Sequence, residues 1–155
     1  YWNNPTGWQE VSSYLKAKGY EVVIYSKEGD GYMGNRHPSG VKVFPPGPMD
    51  KLIEDMASCE FFIGIGSGLS WLAWSLNIPV ILISGFSDIY TEPLEGITRV
   101  INKDVCNSCF NRSRLNAADW NWCPEHEDTP RQFECHKSIS VQDVLSKCIS
   151  SHPNN

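Results

Sequence analysis

Two stretches of this sequence carry residue types that can do chemistry. Residues 61–74 read FFIGIGSGLSWLAW, an apolar run broken by GIGSGLS and resumed with helical spacing. Glycines let a backbone approach a ligand closely and take positive φ. Free N–H groups at a helix start, together with the helix dipole, favour an anion. Ser67 and Ser70 add hydroxyls at the same place. The chemistry this turn suits is phosphate binding. The plain alternative is a tight strand-to-helix turn with Ser67 as its cap. The spacing completes neither the G-x-G-x-x-G fingerprint nor the P-loop, whose lysine is missing.

The second stretch is residues 106–135, CNSCFNRSRLNAADWNWCPEHEDTPRQFEC. Cys106 and Cys109 form a C-x-x-C pair, and Cys123 and Cys135 follow. Two adjacent thiolates and two more make a tetrahedral sulfur site for a structural metal. Such a site would organise NRSRLNAADWNW, which is too polar and irregular to fold by itself. The alternatives are four reduced thiols or two disulfides. His126 and His136 are expected at the surface rather than in the ligand set. Coordination chemistry alone ranks zinc first, and iron also suits four thiolates. Cys59 and Cys148 fall at apolar-faced helical segments and read as buried thiols.

The elements that must position these stretches follow from periodicity. Asn4 and Pro5 signal a helix start, Trp8, Val11 and Leu15 share one face, and Gly19 is placed to end the helix. Strands are expected at 20–26, 41–45, 60–66, 79–85 and 98–102. Helices are expected at 48–58, at 68–76 with Leu69, Leu72, Ala73 and Leu76 inward, and at 140–150 with Ser140 as cap. Residues 27–40 form a long glycine-containing loop, and residues 150–155 a frayed tail. Alternating helices and apolar strands predict a Rossmann-like parallel α/β sheet with helices on both faces. Ligands of such sheets bind beyond the carboxyl ends of the strands. Here those ends are the loops 26–40, 44–49, 65–70 and 85–96. Trp71 and Trp74 lie on a helical face away from the leucines, with Trp71 favoured as a ligand contact.

Composition narrows the class. The chain has 155 residues, 41% of them hydrophobic and 20% charged, as in a soluble globular protein. It does not begin with Met and reads as a piece of a longer protein. No apolar run is long enough to span a membrane, and no basic stretch leads into an apolar one. The expected setting is therefore a reducing compartment. A net charge of −5 disfavours the broad basic surface that non-specific nucleic-acid binding needs, and leaves room only for a local patch.

The stretch VFPPGPMDKLIEDMASCEFFIGIGSGLSWLAWSLNIPVILISG resembles the donor-binding half of GT-B glycosyltransferases of the heptosyltransferase kind. The opening YWNNPTGWQEV and the four-cysteine block narrow the resemblance to the bacterial autotransporter heptosyltransferases, over essentially the whole chain. The resemblance implies that Gly66, Ser67, Gly68, Leu69, Ser70 and Trp71 receive the diphosphate of ADP-heptose. Phe44, Pro45 and Arg36 are lesser donor contacts. Lipopolysaccharide heptosyltransferases place an acidic ribose ligand where this chain has Lys42, so Asp30 or Glu28 would have to replace it. The resemblance further implies one structural Fe(III), with Zn(II) the alternative, on Cys106, Cys109, Cys123 and Cys135. It also implies a ring-like homo-oligomer and a serine acceptor on an autotransporter adhesin. The general base would lie in an N-terminal domain that this chain lacks, so the chain is expected to bind donor without transferring sugar. The implied organisation is a nucleotide-sugar-binding domain at 1–102, a metal finger at 103–139, and a closing helix and tail at 140–155. Two rival readings are a non-catalytic metal-finger interaction module and half of another nucleotide-sugar enzyme, an epimerase or dehydrogenase. The second lacks a complete dinucleotide fingerprint.

Overall fold

The computed structural model describes residues 2–32, 35–119 and 121–151. The expected tail beyond 151, and Met33 and Gly34 of the long loop, lie outside the described residues. The strands are β1 (Val23–Ile24), β2 (Lys42–Val43), β3 (Phe62–Ile65), β4 (Val80–Ile83) and β5 (Ile97–Val100). The helices are α1 (Gly7–Ala17), α2 (Met49–Met56), α3 (Gly68–Ser75), α4 (Cys109–Arg112), α5 (Glu134–Lys137) and α6 (Val141–Ser151). Among the described residues all strand pairing is parallel, in two sheets ordered β1-β2 and β3-β4-β5.

The architecture is the expected parallel α/β layering. All four residues of β4 are buried. Ile81 and Ile83 pack into a core with α1 and α6, through Val11, Leu15, Val144 and Leu145. Val80 and Leu82 pack into the opposite core with Met56, Ala73 and Ile78. A strand covered on both faces has no polar position to alternate with, and its sequence is continuously apolar for that reason.

Several boundaries differ from the expectation. Helix α1 begins at Gly7 because Asn4 is used one turn earlier: its Oδ1 accepts from the Thr6 N–H at 3.2 Å, and its carbonyl accepts from Gly7 N at 3.2 Å. Gly19 ends the helix as expected, at φ +91°, with Tyr20 N donating to Leu15 O. Ser140 caps α6 reciprocally: its Oγ accepts from Asp143 N at 3.1 Å, and Asp143 Oδ2 accepts from Ser140 N at 2.8 Å. The strand expected over 20–26 is only two residues long, because β2 is its one pairing partner. The segment between β5 and α6 contains two short helices, α4 and α5, where irregular chain was expected.

The loop after β4 is tied down by a buried ion pair. Arg99 Nε lies 2.7 Å from Glu92 Oε2, and their side chains are 12% and 1% exposed. Ser84 and Ser87 hydroxyls donate to the same carboxylate. Replacing Arg99 with Met would leave that carboxylate buried without its counter-charge. The expected loss is about 3–5 kcal/mol, read as a fall in the midpoint of denaturant unfolding.

Candidate functional site

The glycine–serine turn joins β3 to α3. Ser67 is the N-cap residue, with extended backbone (φ −149°, ψ 171°), and its hydroxyl makes no capping hydrogen bond. Its carbonyl accepts from Ser70 N at 3.1 Å and Trp71 N at 3.2 Å. Among the described residues, the N–H groups of Gly68 and Leu69 find no backbone acceptor. A Cβ built on Gly68 would meet nothing within 4 Å. The turn therefore presents an open helix N-terminus with two free donors and one free hydroxyl, the arrangement an anion requires.

The glycines act differently from the expectation. None of Gly64, Gly66 and Gly68 has positive φ. Gly64 is required by packing: a Cβ there would lie 2.5 Å from the Phe62 ring and 2.7 Å from Ser70 Oγ. Ser70 fills the space this leaves. It is fully buried and donates to Ile65 O at 2.6 Å. Its hydroxyl locks the helix start onto the strand end and faces away from solvent. Trp71 likewise packs against the core that contains Met56 and Ala73, together with Leu69. Trp74 is 41% exposed, and its Nε1 donates to Glu95 O at 3.0 Å.

The structure separates the remaining donor candidates. Arg36, Glu28, Ser67 and Leu69 line one cavity of about 630 Å³. Arg36 is already paired with Asp30 at 3.2 Å. The N–H of His37, at 2.7 Å, and then Arg36 hold the Asp30 carboxyl below its usual range. Asp30 is thus an internal anchor of the long loop. Phe44 stacks on Tyr25 at 5.5 Å, and Pro45 is exposed; neither lines the cavity. Lys42 lies 3.9 Å from Glu21 and 3.8 Å from Asp55, beside β1.

The cysteine segment folds onto the carboxyl end of β4. Ser108 N donates to Gly85 O at 2.8 Å, and Phe110 N to Phe86 O at 3.1 Å. Phe86 contacts the rings of Phe110 and Trp122. Gly85 has φ +149°, and a Cβ on it would meet Cys135 O at 3.0 Å, so this seam needs a glycine. All six cysteines are free thiols.

Four of these thiols are close enough to affect one another. Burial pushes Cys106 up to about 12, and the thiols of Cys109 and Cys135 push the same way. Burial raises Cys135 to about 11, with Cys109 and Cys123 contributing. Burial also raises Cys109, opposed by Arg112 and helped by Cys123. Mutually destabilised thiolates gathered in a half-buried lobe are what a cation would stabilise. The tightest mixed group, however, was not expected. Atoms of Cys106, His126 and Glu134 lie within 4.8 Å of one another. His126, expected at the surface, is 17% exposed, with Nε2 3.3 Å from Glu134 Oε1. Arg131, then the Cys106 N–H, hold Glu134 down at about 2. The available signal was a histidine and a glutamate inside a cysteine-rich polar segment. Cys148 is buried in the core, and Cys59 Sγ lies 3.3 Å from the Tyr25 hydroxyl; neither joins the cluster.

Fold and turn together define a Rossmann-like parallel α/β domain. The chain belongs to glycosyltransferase family 9 (heptosyltransferase), whose family model matches residues 2–118. It is 42% identical to the autotransporter heptosyltransferase BAHTCr of Citrobacter rodentium, over 97% of this chain and 39% of that protein. It is 41% identical to the autotransporter heptosyltransferase TibC of Escherichia coli O78:H11, over 95% of this chain and 38% of that protein. It is 34% identical to BimC of Burkholderia thailandensis, an inactive autotransporter heptosyltransferase, over 98% of this chain and 37% of that protein. The crystal structure of TibC, an iron-containing dodecameric glycosyltransferase, superposes with a TM-score of 0.85 at 40% identity. That match covers 97% of this chain and 42% of the other. TibC in complex with ADP-D-β-D-heptose superposes at 0.82. The chain spans about two fifths of the length of these relatives. Among the described residues, no helix is long and apolar enough to cross a membrane.

The thiol cluster gives a pH prediction. A raised pKa means that little thiolate exists near neutrality. In metal-free protein, alkylation of Cys106 and Cys135 should keep accelerating above about pH 10, where an ordinary thiol is nearly all thiolate and levels off. Mass spectrometry of a timed alkylation across pH 7–11 reads this directly, and a plateau by about pH 10 would contradict it.

Proposed function

We propose that this chain is the donor-binding half of a heptosyltransferase that moves heptose from ADP-heptose to serine hydroxyls of an autotransporter adhesin. The observation that carries the reading is the open start of α3, with unpartnered N–H groups and clear space at Gly68. A chain 40% identical to this one holds ADP-D-β-D-heptose. In the proposed reaction the serine oxygen forms a bond to the anomeric carbon, and the bond from that carbon to the diphosphate breaks. Negative charge grows on the departing ADP, where Gly68 N, Leu69 N and the Ser67 hydroxyl stabilise it. The serine proton passes to a base outside this chain, so these residues alone bind donor without transferring sugar. Gly66 keeps the approach open. Ser70, Leu69 and Trp71 hold the turn in position from the core side.

The metal reading is that residues 103–139 form a lobe on one ion, held by Cys106, Cys109, Cys123 and Cys135. Iron(III) is favoured, because the relative TibC is iron-containing. Zinc is the alternative for four thiolates. When bound, the ion would draw the thiols into their charged form and fix the polar segment. Residues 1–102 and 140–155 are the donor-binding body. The setting is the bacterial cytoplasm, and the whole protein is a homo-oligomer.

In the full-length protein, Gly68→Val should weaken ADP binding at least tenfold, about 1.4 kcal/mol, with the thermal midpoint little changed. The open space at Gly68 is why folding should be spared. Calorimetric titration with ADP checks this, and unchanged affinity in a folded variant rejects the phosphate assignment. A transfer assay on an adhesin acceptor separates an active enzyme from one resembling the inactive relative.

Single Cys→Ser changes at the four proposed ligands should each release the metal, whereas His126→Ala should retain it. Elemental analysis reads the content, and a strong visible absorption identifies ferric thiolate. Loss of metal on His126→Ala with retention on Cys123→Ser would move the site to Cys106, His126 and Glu134.

A further inference from the structure

The loop that leaves β4 brings a hydroxyl to the glycine–serine turn. Ser87 Oγ lies 3.8 Å from the position a Cβ on Gly66 would take, and nothing else comes within 4 Å of that position. Gly66 is exposed and Ser87 half-buried, so the space between them opens to solvent. A side chain at 66 would close it. Ser87 lies outside the motif that marks the turn in the sequence, and only the fold sets the two side by side.

The one proton of the Ser87 hydroxyl is already committed. It is donated to Glu92 Oε1 at 2.9 Å. The Glu92 side chain is 1% exposed; Arg99 Nε donates to its Oε2 at 2.7 Å, and the Ser84 hydroxyl donates to Oε1 at 3.2 Å. A carboxylate held by a guanidinium only accepts, so the direction of the Ser87 bond is fixed. Among the described residues no donor is aimed at Ser87 Oγ in return. The oxygen therefore keeps its lone pairs for the space beside Gly66 and has no proton to offer there.

Ser87 is also held in place. Asp88 N donates to Asn111 Oδ1 at 2.6 Å. The following turn is closed by Thr91 N on Asp88 O at 3.0 Å, which brings Glu92 back to Ser87. The hydroxyl is thus fixed in position by the loop and in orientation by the carboxylate.

Two neighbouring parts of the turn then have opposite chemistry. The start of α3 presents N–H donors and takes an anion. Ser87 presents only an acceptor, with a buried carboxylate behind it. A phosphate oxygen has no proton to give that acceptor, and the carboxylate repels negative charge. A neutral alcohol can donate to it. In a nucleotide sugar the alcohol nearest the diphosphate is the one on the carbon beside the anomeric carbon.

We propose that Ser87, oriented by Glu92, is a specificity-determining contact for the sugar of the donor. Its oxygen accepts a hydrogen bond from the hydroxyl beside the anomeric carbon while the diphosphate lies on the start of α3. Gly66 leaves the sugar ring its room. The inference rests on the donor-binding reading of this chain and adds to it a residue that reads sugar rather than phosphate.

Calorimetric titration of the full-length protein, with no acceptor present, tests it with three ligands: ADP, ADP-heptose, and the donor analogue with hydrogen in place of the hydroxyl beside the anomeric carbon. Ser87→Ala leaves Glu92 its bonds to Ser84 and Arg99, so the fold should survive. The variant should bind ADP-heptose about three- to tenfold more weakly than the parent, the loss of one hydrogen bond between neutral groups. Its affinity for ADP should stay within about twofold of the parent's, and the deoxy analogue should bind parent and variant alike. The parent should itself bind the deoxy analogue more weakly than ADP-heptose, a comparison that needs no substitution. Equal affinity of the parent for those two donors overturns the proposal. So does an equal loss of ADP and ADP-heptose in Ser87→Ala, which would put Ser87 on the diphosphate or in the frame of the loop. A further loss of the deoxy analogue in Ser87→Ala would assign the contact to a different hydroxyl and also overturns it. A parent that binds no ADP fails at the donor-binding reading itself, before any sugar comparison, and this inference falls with it.

Discussion

Four residues, Val80 to Ile83, are buried on both sides, and the rest of the molecule is arranged around that fact. Ile81 and Ile83 hold α1 and α6 to one face; Val80 and Leu82 hold α2 and α3 to the other. Because successive side chains alternate, a one-residue slip of β4 would exchange the two cores. The strand thus sets the register of β3 and β5 beside it. It also fixes where the carboxyl ends lie, and both chemically active stretches sit at those ends. The turn at 66–70 follows β3, and the cysteine lobe grips Gly85 and Phe86 just past β4.

The turn shows how packing opens a helix N-terminus without strained backbone. Gly64 lets α3 approach β3, and Ser70 fills the approach with a hydrogen bond to Ile65 O. That contact points the first N–H groups of α3 outward. Residues that resemble ligand contacts in the motif therefore divide into two groups. Ser67, Gly68 and the Leu69 N–H face the opening, while Ser70 and Trp71 hold it in place from behind. The same division applies to the long loop, where the Arg36–Asp30 pair orders the chain beside the cavity before any ligand arrives.

The cysteine lobe depends on a different constraint. Its sequence has little apolar periodicity, and burial, then the neighbouring thiols, raise Cys106 and Cys135. Without a cation, its order comes from its seam with the body: the Ser108 and Phe110 N–H bonds and the Phe86 ring contacts. A lobe so attached is coupled to the loop after β4, which the Glu92–Arg99 pair already stiffens. The cysteine lobe and the 66–70 turn thus share a common frame at the carboxyl ends of β3 and β4.

Much of this was determined by the sequence alone. The uninterrupted run PVILISG marks a strand covered on both faces, and GIGSGLS marks a strand-to-helix turn, leaving undecided whether Ser67 is an ordinary cap or the donors stand open. Ser140 and Gly19 mark helix ends because capping and positive φ are local properties. What the tertiary structure decided was direction and neighbourhood. Whether Ser70 faces a ligand or Ile65 O depends on the close approach of α3 to β3, which no periodicity encodes. His126 comes to Cys106 and Glu134 through the folding of an irregular segment, where spacing carries no geometric rule. The short reach of β1 was also undetermined by its own residues, since YEVVIYS has the composition of a longer strand. Strand length is set by the partner alongside, and β1 has one on only one edge.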